Sequence, residues 1–156
     1  GLAAGFNVYR LAANPIGFID PLGLSSARLR RSLGMAVGDC HEAHHLIPEE
    51  VMNDPDFKDM FDRLKSMGFD PDGPANGIAL PSNETLARQT GLPGHWSSHD
   101  QFTATIKSEV GSLYDAWKQG KVSDTQLALG VRDVQSRAET NIRTGKVKLN
   151  SKCRLI

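Results

Sequence analysis

The chain has 156 residues, 39% of them hydrophobic and 23% charged, and its 18 basic residues balance its 18 acidic ones. This length and composition are those of one folded domain with an ordinary core, and they argue against a chain that is disordered throughout. No apolar run approaches the ~20 residues that a membrane helix needs, and a net charge of zero argues against binding nucleic acid by bulk charge alone.

The first 24 residues differ from the rest because they are dense in Gly, Pro, Asn and aromatic side chains and carry few charges. Residues 6–11 are predicted as a short strand, and two Pro/Gly breaks follow it. By composition alone this segment is a surface tail with turns. From Ser25 onward the sequence is charged and compatible with helices, so we expect a tail, 1–24, and one globular body, 25–156.

The body is predicted to be mostly helical, because apolar residues recur at steps of three and four along much of it. The predicted helices cover, approximately, residues 25–36, 54–67, 82–90, 98–119 and 123–143. The fourth and fifth carry the clearest apolar stripes, at Phe102, Ile106, Val110, Leu113 and Trp117, and at Leu127, Val131, Val134, Ala138 and Ile142. Two short apolar runs, 43–47 and 77–80, are predicted as strands, and a proline stops each of them.

The five histidines fall into two groups, with His41, His44 and His45 in the first and His95 and His99 in the second. On a strand, adjacent side chains point to opposite faces, so one of His44 and His45 can bind a metal while the other serves as a base. His99 is predicted in the first turn of the fourth helix, on the face of Phe102. An inward imidazole near another can close on a metal, although buried histidines that bond to backbone carbonyls also explain each group taken alone.

The histidine groups occur in a characteristic order: AHHLIP at the first predicted strand, NGIALP at the second, and HWSSH before the fourth helix, with an aromatic at Phe102. This order resembles the ββα-metal arrangement of HNH nucleases and, more closely, the AHH family of the HNH/endonuclease VII superfamily, over about 43–110. The resemblance implies an α+β, mostly helical fold. In that fold the two strands and the helix from about Ser98 form a ββα-metal element.

The same resemblance implies a role for each matching residue. His44 would ligate a metal from the first strand, and His45 would be the general base that takes a proton from the attacking water. Asn76 would tie the loop between the strands, and His95 and His99 would supply the remaining ligands. The cofactor would be one divalent cation, and three imidazoles suit zinc, nickel or manganese better than magnesium. The implied reaction is hydrolysis of DNA phosphodiester bonds, with little sequence preference because no base-reading module is recognisable.

The tail carries a second resemblance, on separate residues. The string NVYRLAANPIGFIDPLGL is similar to the end of the core domain of Rhs-repeat proteins, and its last part supplies Asp20, Pro21, Gly23 and Leu24. In those proteins this sequence marks the junction between a β-shell and a C-terminal toxin that self-cleavage releases. The resemblance implies cleavage after Leu24, an Rhs core shell as carrier and a cognate immunity protein as inhibitor. It also implies delivery into the cytoplasm of rival bacteria by a contact-dependent, type VI, secretion system.

Two other functions remain open on the sequence. Residues 41–45, HEAHH, satisfy the H-E-x-x-H pattern of zinc proteases, which needs His41 and His45 one turn apart on a continuous helix, with Glu42 as base. Two glycines upstream and Pro48 downstream leave little room for such a helix. The second is a non-catalytic, zinc-stapled interaction module, which is disfavoured because structural zinc sites usually use Cys and close four protein ligands.

Overall fold

The computed structural model describes residues 24–96 and 98–156. Its elements, in chain order, are α1 (Leu24–Ser32), β1 (His41–His45), α2 (Glu49–Met52), α3 (Lys58–Ser66), β2 (Gly77–Pro81), α4 (Glu84–Thr90), α5 (Asp100–Lys118) and α6 (Asp124–Arg143). Two 3-10 turns, Pro55–Phe57 and Pro74–Asn76, lead into α3 and β2. The fold is α+β and mostly helical, as the sequence predicts. No helix in the described ranges combines the length and the apolarity that crossing a membrane requires.

The two strands pair antiparallel, with His45 opposite Gly77 at one end. β1 begins two residues earlier than predicted, at His41. It also ends two residues earlier, at His45, because Leu46 and Ile47 leave the ladder. Their amides donate instead to Asn76, Leu46 N to its backbone oxygen and Ile47 N to its side-chain oxygen, both at 2.9 Å. The turn before β2 therefore holds Leu46 and Ile47, which still bury their side chains in the core.

One hydrophobic core joins the sheet to the helices. α5 and α6 pack against each other along the two predicted stripes. On α5 the buried members are Phe102, Ile106 and Val110, whereas Leu113 and Trp117 are only partly buried. α6 buries every predicted position, namely Leu127, Val131, Val134, Ala138 and Ile142. The sheet adds Ile78 and Leu80 to the same core, so the helices cover the back of the two strands.

The helix ends follow local signals, and some differ from the predicted positions. α1 ends at Ser32, before the predicted end, because the chain turns at Gly34, which has a left-handed backbone conformation with φ 67°. α2 is not predicted, since a single turn is too short to show a hydrophobic period. α6 begins where the sequence predicts, after Ser123, which forms a capping box with Gln126.

The tail lies outside the described residues except for Leu24, which begins α1 and is 55% exposed. The predicted junction residues Asp20, Pro21 and Gly23 are therefore outside the described part of the chain. The boundary between residues 24 and 25 stays a prediction.

Candidate active site

Three imidazole rings meet beside β1. His44, on this strand, is 2% exposed, and its ring centroid lies 4.7 Å from that of His95 and 4.8 Å from that of His99. One ligand nitrogen from each ring lies within 4.8 Å of the other two. Phe102 packs beside His44 with centroids 5.0 Å apart and joins the cluster to the core. The fold thus brings the three predicted metal ligands together, although they lie far apart along the chain.

Different local structures place His95 and His99 in this cluster. His95 follows β2 by way of α4, and its amide donates to the carbonyl of Pro81 at 2.8 Å, which returns the chain to the end of the sheet. His99 is the N-cap residue of α5, one residue before the helix and not in its first turn as predicted. Its Nδ1 lies 3.3 Å from Oγ1 of Thr103, so Nε2 is the nitrogen available to a ligand.

The surroundings of the three rings disfavour protonation. Burial lowers the pKa of His44 well below its ordinary value of 6.5, and the rings of His95 and His99 lower it further. Burial also lowers the pKa of His95 from 6.5 to about 4 and that of His99 below 6.5. All three imidazoles are therefore neutral at pH 7, which is the form whose lone pair can ligate a cation.

Two nitrogens in this cluster lack the partner that burial normally demands. His44 Nε2 and His95 Nδ1 are buried and have no hydrogen-bond partner among residues 24–96 and 98–156. An unpaired buried polar atom costs about 1–3 kcal/mol, and a bound cation removes that cost. Three neutral imidazoles, two of them with an unpaired buried nitrogen, therefore fit one divalent cation. Three protein ligands are also the number typical of catalytic zinc sites, whereas structural sites use four.

His45, the next residue of β1, has a different environment. Its Nε2 lies 3.1 Å from Oδ1 of Asp72, and its side chain is 10% exposed. Adjacent strand residues point to opposite faces, so His45 does not join the ring cluster around His44. It nevertheless lines one open pocket with the three clustered histidines, and the same lining includes the carboxylates of Glu49 and Glu50. The predicted base and the predicted ligands therefore share a pocket.

Asn76 is fully buried and joins three parts of the chain. Its Oδ1 accepts from Ile47 N at 2.9 Å and from Gln135 Nε2 at 3.1 Å. Its Nδ2 donates to the carbonyls of Ile47 at 3.2 Å and Pro71 at 2.9 Å. These bonds connect the segment after His45 to the loop before β2 and to α6. Asn76 does not line the histidine pocket, so any effect on the site passes through the segments that it joins.

Residues 41–45 form a strand, which rules out the helix that the zinc-protease pattern requires. His41 Nδ1 lies 2.7 Å from the carbonyl oxygen of Asp39, and Glu42 lies 3.9 Å from a guanidinium nitrogen of Arg30. Neither His41 nor Glu42 lines the histidine pocket. The metalloprotease alternative is therefore wrong.

Asp72 is a residue beside the site that the sequence does not single out. It lies in the loop between α3 and β2, where Asp, Pro and Gly indicate a turn and nothing distinguishes one carboxylate from another. Its side chain is 9% exposed, and its Oδ2 lies 3.3 Å from Nε of Arg28. Its contact with His45 spans 27 residues of sequence, which is too far for a local pattern to show.

Comparison with known protein families identifies a nuclease family. A model of the AHH family, described as a nuclease family of the HNH/ENDO VII superfamily with conserved AHH, matches residues 26–138. In this chain the letters AHH occur at Ala43, His44 and His45. No curated protein and no solved structure matches the chain.

Proposed function

The chain belongs to the AHH nuclease family of the HNH/ENDO VII superfamily, and from this premise we propose that it hydrolyses DNA phosphodiester bonds with little sequence preference. The family makes the protein an HNH-type endonuclease. One observation supports the proposed chemistry above the others: His44, His95 and His99 converge beside His45 in a single pocket.

Nucleases of this superfamily are metal-dependent, and the residues present suit a metal. His44, His95 and His99 would hold one divalent cation, with zinc, nickel or manganese favoured over magnesium by the nitrogen donors. When bound, such a cation neutralises the negative charge that gathers on the phosphate and on the departing oxygen.

The remaining chemistry falls to His45. A neutral imidazole has one nitrogen lone pair, which can accept a proton from water. We assign His45 to take a proton from the water whose oxygen attacks phosphorus, while the bond from phosphorus to the departing oxygen breaks. Its place in the pocket beside the three proposed ligands supports this assignment, because a base must lie within reach of the attacking water.

Low sequence preference is expected because no base-reading module is recognisable in the sequence. The charge of the chain is balanced, so binding of DNA depends on local cations. Arg28 and Arg31 on α1 line a shallow depression next to Asp72. Contacts from such side chains to phosphates position a duplex but carry no sequence information.

A plasmid-cleavage assay tests this function. Purified residues 25–156 are incubated with supercoiled plasmid and each of zinc, nickel, manganese and magnesium, with and without chelator. We expect nicking and linearisation that the chelator stops, and fragments without a fixed end sequence. Plasmid that stays intact under every metal contradicts the proposed DNA substrate.

We also propose that this nuclease is a toxin released from an Rhs carrier and blocked by a cognate immunity protein. The support is the Rhs-like string that ends at Leu24, immediately before the family match begins at residue 26. A nuclease released in this way needs an inhibitor in the producing cell. It also needs delivery into the cytoplasm of the target bacterium, for which a contact-dependent, type VI, secretion system is the proposed route.

Expression in a bacterial cytoplasm tests the toxin role. Residues 25–156 should stop growth and fragment the chromosome, and co-expression of the protein encoded next to the nuclease gene should restore growth. In the carrier-linked chain, we expect a fragment whose first residue is Ser25. Asp20→Asn should prevent its appearance, because the Rhs resemblance implies that Asp20 belongs to the aspartyl machinery that cleaves the chain. Normal growth with active, soluble nuclease contradicts the toxin role, and a fragment with a different first residue contradicts the junction.

A further inference from the structure

A nearly buried carboxylate lies against the proposed base. The Oδ1 atom of Asp72 is 3.1 Å from Nε2 of His45, and the same oxygen accepts a hydrogen bond from Oγ of Ser25 at 2.6 Å. The second oxygen, Oδ2, is 3.3 Å from Nε of Arg28. Each oxygen of Asp72 therefore has a donor, Ser25 for Oδ1 and Arg28 for Oδ2, and Oδ1 also lies against the imidazole of His45.

We propose that Asp72 is a positioning residue for the nuclease reaction, which holds His45 in the tautomer that carries its proton on Nε2. This proposal rests on the role of His45 as base in the proposed function. In this proposal Asp72 touches neither the substrate nor the bound cation. Its effect passes through the orientation of the ring and the identity of the free nitrogen.

The tautomer follows from the chemistry of the two partners. A neutral imidazole has one N–H, and an ionised carboxylate only accepts hydrogen bonds. When the N–H of Nε2 donates a hydrogen bond to Asp72, the lone pair that can take a proton from water is on Nδ1. Without the carboxylate, the ring of His45 can adopt either tautomer and can rotate, so a smaller share of molecules presents the basic nitrogen to the pocket.

The loop that carries Asp72 is held on several sides. The amide of Asp72 donates to Oδ1 of Asp70 at 3.0 Å, and its carbonyl accepts from Oγ of Ser32 at 2.6 Å. Asn76 holds the preceding residue through the carbonyl of Pro71 at 2.9 Å. The carboxylate is therefore fixed by α1 and by the buried amide, independently of its contact with the imidazole.

A second cation at this place is the competing explanation. One ligand atom each from His45, Glu49 and Asp72 lies within 4.8 Å of the others. Both oxygens of Asp72 already have donors in Ser25 and Arg28, and a positive guanidinium beside the carboxylate repels a cation. A metal here would also occupy the imidazole that the reaction needs as a base. We therefore favour the positioning role, and zinc stoichiometry distinguishes the two.

The wild-type protein gives the first test. Long-range 1H–15N NMR of the zinc-loaded full chain, with the ring signals assigned by their loss in His45→Ala, reports which nitrogen carries the proton. We expect the Nε2–H tautomer and one zinc ion per chain. An Nδ1–H tautomer, or a second zinc that Asp72→Asn removes, overturns the proposal.

Kinetics of variants give the second test. With a short fluorescent duplex as substrate, Asp72→Asn and Asp72→Ala should lower kcat on the order of 100-fold, while KM and zinc affinity of the folded variants stay close to wild type. Asp115→Asn on α5 is the control, because Asp115 is exposed and lies outside the pocket, and it should keep full activity. Unchanged kcat in a folded Asp72→Asn overturns the proposal, as does a rise in KM alone.

Failure of the proposed function gives a different result. A wild-type protein that binds zinc but does not cut DNA contradicts the substrate, whereas the NMR tautomer still decides whether Asp72 fixes His45. If Asp72→Ala fails to fold, the NMR measurement on the wild type and the isosteric Asp72→Asn remain decisive.

Discussion

Two neighbouring residues of one strand, His44 and His45, have opposite surroundings. His44 is buried among other imidazoles, and its Nε2 has no partner among the described residues. His45 lies against a carboxylate that is itself paired with Arg28. The first environment keeps rings neutral and leaves lone pairs unused, which suits a cation. The second environment fixes one nitrogen of the His45 ring, which suits proton transfer. His44 and His45 reach these different environments because adjacent strand residues point to opposite faces.

The largest expected effect comes from His45→Ala. Removing the base should lower the DNA cleavage rate about 1000-fold, while zinc binding stays within a few-fold of wild type because the three-ring cluster is intact. His41→Ala is the matched control, since His41 lies on the same strand but outside the pocket. Cleavage rates and zinc affinity by calorimetry check this. A variant that loses zinc together with activity contradicts the separation of roles.

His99→Ala tests the other side of the comparison. Losing one of three ligands should weaken zinc binding by more than the roughly 10–100-fold that loss of a residue supporting a ligand costs, and cleavage at low zinc should fall with it. Added zinc should restore part of the activity of His99→Ala but none of the activity of His45→Ala. Calorimetry and rate measurements across a zinc series check this, and equal responses of the two variants contradict it.

Asn76→Ala should reduce stability and leave zinc chemistry largely intact in the folded fraction. The change leaves the amide of Ile47 and the side chain of Gln135 without their buried partner. The expected loss in the free energy of unfolding is about 2–3 kcal/mol, measured by urea denaturation. Asn83→Ala, which removes the exposed N-cap of α4, should cost only about 1 kcal/mol. Equal losses in the two variants contradict the bridging role of Asn76.

The free energy of unfolding of the metal-free protein should also depend on pH. The pKa of His95 is about 4 in the folded protein and 6.5 ordinarily. Between these values the unfolded chain binds a proton that the folded chain does not, so the free energy of unfolding decreases as pH falls from 6.5 to 4. Above pH 6.5 this contribution is constant. Urea denaturation across this range should show a shallower decrease in His95→Gln than in wild type or His41→Gln, and parallel curves contradict the prediction.

Local periodicity allowed much of the fold to be predicted. The stripes on α5 and α6 repeat every three or four residues, so burial of Phe102, Ile106 and Val131 follows from sequence alone. The end of β1 could not be predicted from the local sequence. The amides of Leu46 and Ile47 donate to Asn76 after the strand, and Asn76 lies in a turn that is distant in sequence.

The candidate site shows the same limit. The histidines were identifiable because AHH and HWSSH are short, contiguous patterns. The hydrogen bond of Asn76 to Gln135 spans 59 residues and that of His45 to Asp72 spans 27, and neither is encoded in a local spacing. Candidate metal-ligating and catalytic residues on short contiguous motifs can therefore be predicted from sequence, whereas the residues that orient them are identified only in the folded structure.

X-ray absorption spectroscopy of the zinc-loaded protein tests the central claim most directly. A zinc ion held by His44, His95 and His99 should show three imidazole nitrogens at about 2.0–2.1 Å. The spectrum should be unchanged in His45→Ala and altered in His44→Ala. Sulfur ligands, a shell made of oxygens alone, or a spectrum that changes with His45→Ala and not with His44→Ala contradicts the account.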